Sequence, residues 1–222
     1  MGWVFCIRER PLGDALQQWT IILDAGGRLA LAGLTEATVG GLKAASASAV
    51  DVGTGRVTVA SGLSSTDLVA MIVAGQNGGS WDGVTGVASS AAAAELVDGR
   101  PRSVGWMDNG DGSVVFAYAA PGDSNLDWNV DILDAANILA SGQFDAATPA
   151  SWTEGDTGYD GLVDILDIAE ILSTGLFDAG FYNIAAATPE SVAVVPEPST
   201  WFMTSAMLIA AGGLRGLTRR RR

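Results

Sequence analysis

Histidine is absent from this chain and cysteine occurs once, at Cys6. The first absence excludes imidazole acid–base chemistry, histidine-based triads and histidine zinc ligands. The second excludes an internal disulfide framework. Basic residues are scarce and unevenly placed. Between Ser103 and Leu214 there is neither Lys nor Arg, yet that stretch holds 16 of the 25 acidic residues. A net charge of −13 speaks against nucleic acid as a partner, because phosphate binding needs clustered cations. A length of 222 residues allows one domain or two small ones. Outside the acidic loops described next, no paired carboxylates stand at a catalytic spacing and no nucleophile has a base. The expectation is a non-catalytic protein.

Two acidic segments are near-copies. The first runs from Gly122 through Asp123-Ser-Asn-Leu-Asp-Trp-Asn-Val-Asp-Ile-Leu to Asp134. The second runs from Gly155 through Asp156-Thr-Gly-Tyr-Asp-Gly-Leu-Val-Asp-Ile-Leu to Asp167. Counted from its first Asp, loop 1 places Asp123, Asn125, Asp127, Asp131 and Asp134 at positions 1, 3, 5, 9 and 12, with the Asn129 backbone at 7. Loop 2 places Asp156, Asp160, Asp164 and Asp167 at 1, 5, 9 and 12, with the Leu162 backbone at 7. These are the positions from which a tight loop wraps oxygen ligands around one Ca²⁺. Without a counter-ion the clustered carboxylates repel one another, and a bound divalent cation removes that repulsion and couples binding to folding. Each loop departs from the pattern once. Trp128 stands at position 6, where the sharp turn prefers Gly, and Gly158 at position 3 brings no side-chain oxygen.

Both loops run into helical periodicity. Ile132, Leu133, Ala136, Ile138 and Leu139 form one apolar stripe and Ile165, Leu166, Ile168, Ile171 and Leu172 the other, with Gly142 and Gly175 as stops. Such short helices are marginal alone. The expectation is therefore that they bury their stripes against each other, Ile138 and Leu139 meeting Ile171 and Leu172.

A tandem loop–helix pair with no entering helix resembles the type I dockerin module, over about Pro121–Asn183. The resemblance implies calcium ligation by the residues just named. It also implies a cohesin-like or surface-matrix protein as partner, bound in that family often through small hydroxyl residues at loop positions 10 and 11. Here those positions hold Ile132, Leu133, Ile165 and Leu166. With its Asn-Leu-Asp-Trp and Val-Asp-Ile-Leu-Asp strings, the segment looks most like the dockerin-like regions of large planctomycete surface proteins. A calcium sensor is the less favoured reading, since the loops lack the Glu at position 12 and the Met-rich groove of sensors.

The chain ends in three parts. Pro196, Glu197 and Pro198 come first, then an apolar run from Trp201 to Leu214, then Arg215 and finally Arg219, Arg220, Arg221 and Arg222. As a helix, 201–218 would span roughly 27 Å, about one hydrocarbon core, with the terminal arginines on the cytoplasmic side. This order is similar to the PEP-CTERM sorting signal. That resemblance implies an exosortase-type transpeptidase as partner, transient membrane anchoring, and then release or attachment at the cell surface. A plain membrane anchor is the alternative.

Residues 1–20 carry no secretory signal, because Arg8, Glu9 and Arg10 follow the short apolar stretch instead of preceding it. The expectation is that the export signal precedes Met1. Residues 21–118 read as β-rich. Leu23–Leu34 aligns with Val50–Leu63 after small gaps, a period in the high twenties that suggests stacked rungs. It resembles the end of an autotransporter-type repeat, with a generic hairpin-rich domain as the alternative. A short helix is predicted over Thr66–Ala74, and a hairpin joins Val104–Met107 to Ser113–Tyr118 around Asp108-Asn-Gly-Asp-Gly112.

The expected architecture is thus a β-solenoid-like N-terminal part over 21–118, a small α-helical dockerin-like calcium pair over 119–184, a linker over 185–194, and a sorting tail over 195–222 with a transmembrane helix. The expected function is that of an exported, calcium-stabilised surface or extracellular protein. The alternative is the C-terminal part of a secreted carbohydrate-active enzyme whose catalytic domain lies upstream.

Overall fold

The structure, a computed structural model, describes residues 4–7, 20–31 and 36–183. All of them fall in one compact unit, Met1–Ala187; a second unit, Thr188–Arg222, lies outside the described residues.

Short alternating strands open the fold. Three parallel sets form: β1 (Val4–Ile7), β3 (Arg28–Leu31), β6 (Ala49–Asp51) and β8 (Gly86–Ala88) in one sheet; β2 (Thr20–Leu23) with β5 (Gly41–Ala44); and β4 (Glu36–Val39) with β7 (Arg56–Val59). Alternation explains the strands: β3, β4 and β7 bury every second residue, placing Leu29, Ala37, Val57 and Val59 inside. Tight turns separate them, as where the Gly27 N–H donates to the Asp24 carbonyl at 2.7 Å and the Gly55 N–H to that of Val52 at 2.7 Å.

The third sheet changes character. β10 (Val114–Ala119) pairs antiparallel with both β7 and β9 (Ser103–Asp108), closing the predicted hairpin. Helix α1 (Ser65–Gln76) covers β8 and buries Leu68 and Ile72. Its N-terminus is capped by Ser64, whose hydroxyl accepts the Asp67 N–H. Helix α2 (Ser90–Val97) starts in the same way, on Ser89. The loops are followed by α3 (Ile132–Ser141) and α4 (Ile165–Ser173).

The expected fold class is corrected on this evidence. The molecule is a mixed α/β domain with four helices among the described residues and mixed sheets, not a β-solenoid followed by a separate helical module. The parallel strands do not form a closed solenoid, because the β9–β10 hairpin turns one sheet antiparallel. The period differs as well. In three of the parallel pairings partners lie 20 or 21 residues apart, Thr20 on Gly41, Arg28 on Ala49 and Glu36 on Arg56, while Val4 lies on Arg28 and Ala49 on Gly86 at 24 and 37. The likeness of Leu23–Leu34 to Val50–Leu63 sets β2 against β6 and β3 against β7, but those strands do not pair: β3 pairs with β6, β2 with β5 and β7 with β4. Among the described residues no helix is long and apolar enough to cross a membrane, and the expected span at 201–218 lies outside them.

No break in the core falls at 118/119. Leu126, Trp128, Val130, Trp152 and Tyr182 belong to the same buried cluster as Val59, Val104 and Phe116. β10 is buried along its whole length. From α2, Glu95 accepts the Tyr118 hydroxyl at 2.9 Å, and from loop 1 the Trp128 indole donates to the Tyr118 carbonyl at 3.0 Å. Gly105 on β9 lets the loops come this close: a Cβ there would stand 2.6 Å from Leu126 and 2.7 Å from the Trp152 ring.

Candidate metal centre

Each loop ends as a helix begins. Asp131 caps α3 and Asp164 caps α4, and in both the residue three positions on, Asp134 or Asp167, bonds back to the cap N–H. Positions 9 and 12 therefore form a capping box as well as two expected ligands.

The duplication in sequence is a pseudo-two-fold in space. Val130 bridges to Phe177 and Val163 to Phe144, equivalent pairs taken in opposite order. A Cβ on Gly122 would meet the Ile171 side chain at 2.8 Å, and one on Gly155 would meet Ile138 at 3.0 Å. Each loop thus rests on the helix of the other repeat. Left-handed backbone recurs at matched positions, Leu126 with Tyr159 at position 4 and Trp128 with Gly161 at position 6. Trp128 adopts φ 66° without being glycine, as the sequence foretold for that turn.

The expected meeting of leucines does not occur. Ile138 is buried and Ile171 half-buried, but Leu139 and Leu172 are 77% and 71% exposed. Ile132, Leu133, Ile165 and Leu166 are exposed with them. Each helix spends one isoleucine, Ile138 or Ile171, on the opposite loop; Ile168 is half-buried beside them, and the remaining stripe residues face outward.

In loop 1, Asp123 is fully buried. Its Oδ1 accepts the Asp127 N–H at 3.1 Å, and its Oδ2 accepts the Trp128 N–H at 3.0 Å and the Tyr182 hydroxyl at 2.5 Å. Asp134 Oδ1 accepts the N–H groups of Ser124 at 2.8 Å and Asn125 at 3.3 Å, and its Oδ2 that of Asp131 at 2.9 Å. Asn125 Oδ1 accepts the Asp127 N–H, and Asp127 Oδ1 that of Asn129. The Asn129 side chain donates to Asp131 at 2.8 Å and leaves its own Oδ1 buried without a partner.

Loop 2 repeats the frame. Asp167 Oδ1 accepts from Thr157 and Gly158, and its Oδ2 from Asp164. Asp160 accepts the Leu162 N–H at 2.9 Å and Asp164 that of Leu166 at 2.6 Å. Asp156 is 5% exposed; its Oδ2 accepts the Gly161 N–H at 3.0 Å, and its Oδ1 is buried with no partner.

The carboxylates thus turn largely onto backbone N–H groups, and among the described residues no three acidic side chains gather as a ready-made metal cluster. Burial has its cost. It pushes Asp123 up to about 7, helped by the charges of Asp134 and Asp127 and opposed by the Tyr182 hydroxyl. It pushes Asp156 up to about 6, with Asp167 and Asp160 adding to the shift. Burial also raises Asp134 and, beside loop 2, Glu170. Buried anionic oxygens crowded by like charge, one without a hydrogen bond, make a donor set that suits a hard divalent cation.

Two partners of loop 1, Arg56 and Trp152, were invisible in the sequence, as was Arg102 behind Tyr182. Arg56 of β7 donates to the Leu126 carbonyl and lies 5.2 Å over the Trp128 ring. Arg102 lies 5.2 Å over the Tyr182 ring and pairs with Glu95 at 3.3 Å. Trp152 donates to the Asp123 carbonyl at 2.7 Å and stacks on Tyr159 of loop 2. Arg56 on β7 thus brings to loop 1 a basic residue the local sequence lacks, while Arg102, just before β9, reaches it only through Tyr182. Only aromatic residues flanking each loop hinted at it. Pro196, Glu197, Pro198 and Arg219–Arg222 lie outside the described residues.

No family model, curated protein or solved structure matches this chain.

Proposed function

We propose that the chain is a non-catalytic exported surface or extracellular protein whose two loops each hold one Ca²⁺. The observation that carries the reading is the buried, unpartnered Oδ1 of Asp156 at position 1 of a duplicated, ligand-spaced loop. In loop 1, Asp123, Asn125, Asp127, Asp131 and Asp134 would hold the ion, with the Asn129 carbonyl; in loop 2, Asp156, Asp160, Asp164 and Asp167, with the Leu162 carbonyl. Bound calcium supplies the positive charge that the local sequence lacks. The chain's own residues supply the frame: capping boxes fix positions 9 and 12, and left-handed turns bring positions 1 and 5 around.

Export rests on the tail. Pro196-Glu197-Pro198, the short apolar run and the four terminal arginines support recognition by a sorting transpeptidase of the exosortase type and delivery to the cell surface. A cohesin-like or surface-matrix protein is the proposed partner. Each helix opens with two adjacent exposed aliphatic residues, Ile132-Leu133 and Ile165-Leu166, and these support it as residues offered for contact.

Two measurements test these claims. Calorimetry on the intact chain is expected to show two equivalents of calcium. At calcium a hundredfold above Kd, stability is expected to rise by about 2.7 kcal/mol per site. No heat and an unmoved Tm would overturn the calcium reading. Intact mass on protein from its native host is expected to lack Trp201–Arg222. A mass retaining those residues removes the sorting reading.

A further inference from the structure

Both loops come from one repeat, yet the fold surrounds them differently. The first carboxylate of loop 1 is held from outside the loop. Tyr182, 59 residues away, donates to Asp123 Oδ2 at 2.5 Å. The Tyr182 oxygen in turn accepts the Ala120 N–H at 2.9 Å, and Arg102 covers its ring. The Asp123 carbonyl is taken by Trp152. The turn itself is clamped by Arg56, on the carbonyl of position 4 and the ring of position 6.

Among the described residues the first carboxylate of loop 2 is met only from inside its own loop, by the Gly161 N–H at 3.0 Å and by the nearby Tyr159 N–H. Its other oxygen is buried without a partner. The body does touch loop 2: Tyr159 donates to the Val104 carbonyl of β9 and packs on Trp81, and Gln76 of α1 donates to the Gly158 carbonyl at 3.3 Å, but none of these contacts reaches the Asp156 carboxylate. Among the described residues no Lys or Arg forms a hydrogen bond or an ion pair with loop 2. Glu170 adds a further carboxylate at its edge, accepting the Thr157 hydroxyl at 2.9 Å. At the equivalent place beside loop 1 stands the neutral Asn137, donating to Ser124.

We infer that the two loops are unequal cation sites: loop 1 keeps its binding shape through contacts with the α/β body, and loop 2 depends on the cation for its shape. An unpartnered buried carboxylate oxygen carries its full desolvation cost until something cationic meets it. In loop 1 hydrogen bonds from the body already offset that cost. The inference rests on the calcium reading above and adds to it that Tyr182 is a positioning residue for Asp123.

The test is peptide-resolved hydrogen exchange on the full chain, in calcium and in chelator, with calorimetry on the same samples. Amides 157–167 are expected to gain at least about tenfold protection with calcium, and amides 124–134 less than about threefold. If calorimetry shows binding and loop 1 responds as strongly as loop 2, the inequality is overturned and the calcium reading stands. If there is neither heat nor response, the calcium reading falls and the inference with it. Tyr182→Phe removes one hydroxyl and is expected to make loop 1 responsive like loop 2, leaving loop 2 unchanged. Full protection of loop 1 in chelator would overturn the role of Tyr182. Asp156→Asn keeps the side-chain shape and does not rely on Tyr182. It is expected to raise loop 2 protection in chelator and to erase its calcium response. A full response in Asp156→Asn overturns the inference.

Discussion

In urea denaturation, Trp152→Ala is expected to lower stability by about 3–5 kcal/mol and to do so in a single transition. The side chain is 1% exposed and sits where three parts of the fold meet. Its ring faces Gly105 of β9, its indole N–H holds the Asp123 carbonyl of loop 1, and its face stacks 5.8 Å from Tyr159 of loop 2. Truncation removes the largest fully buried side chain, leaves the Asp123 carbonyl without its indole donor, and frees Tyr159 from one of its two aromatic neighbours. For a unit of this size the fall in Tm is roughly 10 °C. Far-UV circular dichroism and tryptophan fluorescence should report the same midpoint. Two separated transitions, with the loops lost first and the sheet intact, would show that the loops form a domain of their own.

Asp134→Ala is expected to cost about 2–4 kcal/mol even in chelator. One carboxylate serves the N–H groups of Ser124, Asn125 and Asp131 at once, and Ser124 is buried, so water cannot replace it there. The capping box of α3 goes with it. In calcium the loss grows, because position 12 of the first site is gone and the stoichiometry falls to one. Asp134→Asn keeps one acceptor oxygen but sets an NH2 group against the N–H on the other side, Asp131 or Ser124 and Asn125. Chelator-state stability should therefore fall, though by less than in Asp134→Ala, while calcium binding at loop 1 weakens strongly. If Asp134→Ala still binds two equivalents, Asp134 is a helix cap and nothing more.

The loops could be read from the sequence because their information is local. Asp at positions 9 and 12 specifies a capping box, and an apolar stripe after it specifies a helix, whatever lies elsewhere. Duplication supplied the rest, since the same spacing twice is hard to get from solvated loops. The hairpin at Asp108–Gly112 and helix α1 were legible for the same reason. The strand register was not. Parallel partners are set by contacts between segments 20 to 37 residues apart, and the turns Asp24–Gly27 and Val52–Gly55 look alike although the strands they join pair differently. Nor could the sequence place Arg56, Arg102 and Tyr182 around loop 1. Each comes from far along the chain: Arg56 from β7, Arg102 from just before β9, and Tyr182 from the segment after α4. The exposure of Leu139 and Leu172 was missed because a helical stripe says which residues are apolar, not which of them find cover.

The exchange of supports between the repeats has a consequence for origin. Gly122 of the first repeat leans on Ile171 of the second, and Gly155 of the second on Ile138 of the first. A single repeat has no such support within itself. To fold, it would have to take the isoleucine from another molecule, which is the arrangement of an isologous homodimer. Joining two copies through the short segment after Phe144 converts that encounter into an intramolecular one, with an effective concentration on the order of millimolar. The present chain is in this sense a dimer with its subunits in tandem. Once joined, the halves were free to diverge: Tyr182 and Arg56 came to hold the first loop, while the second has a buried carboxylate oxygen with no partner among the described residues.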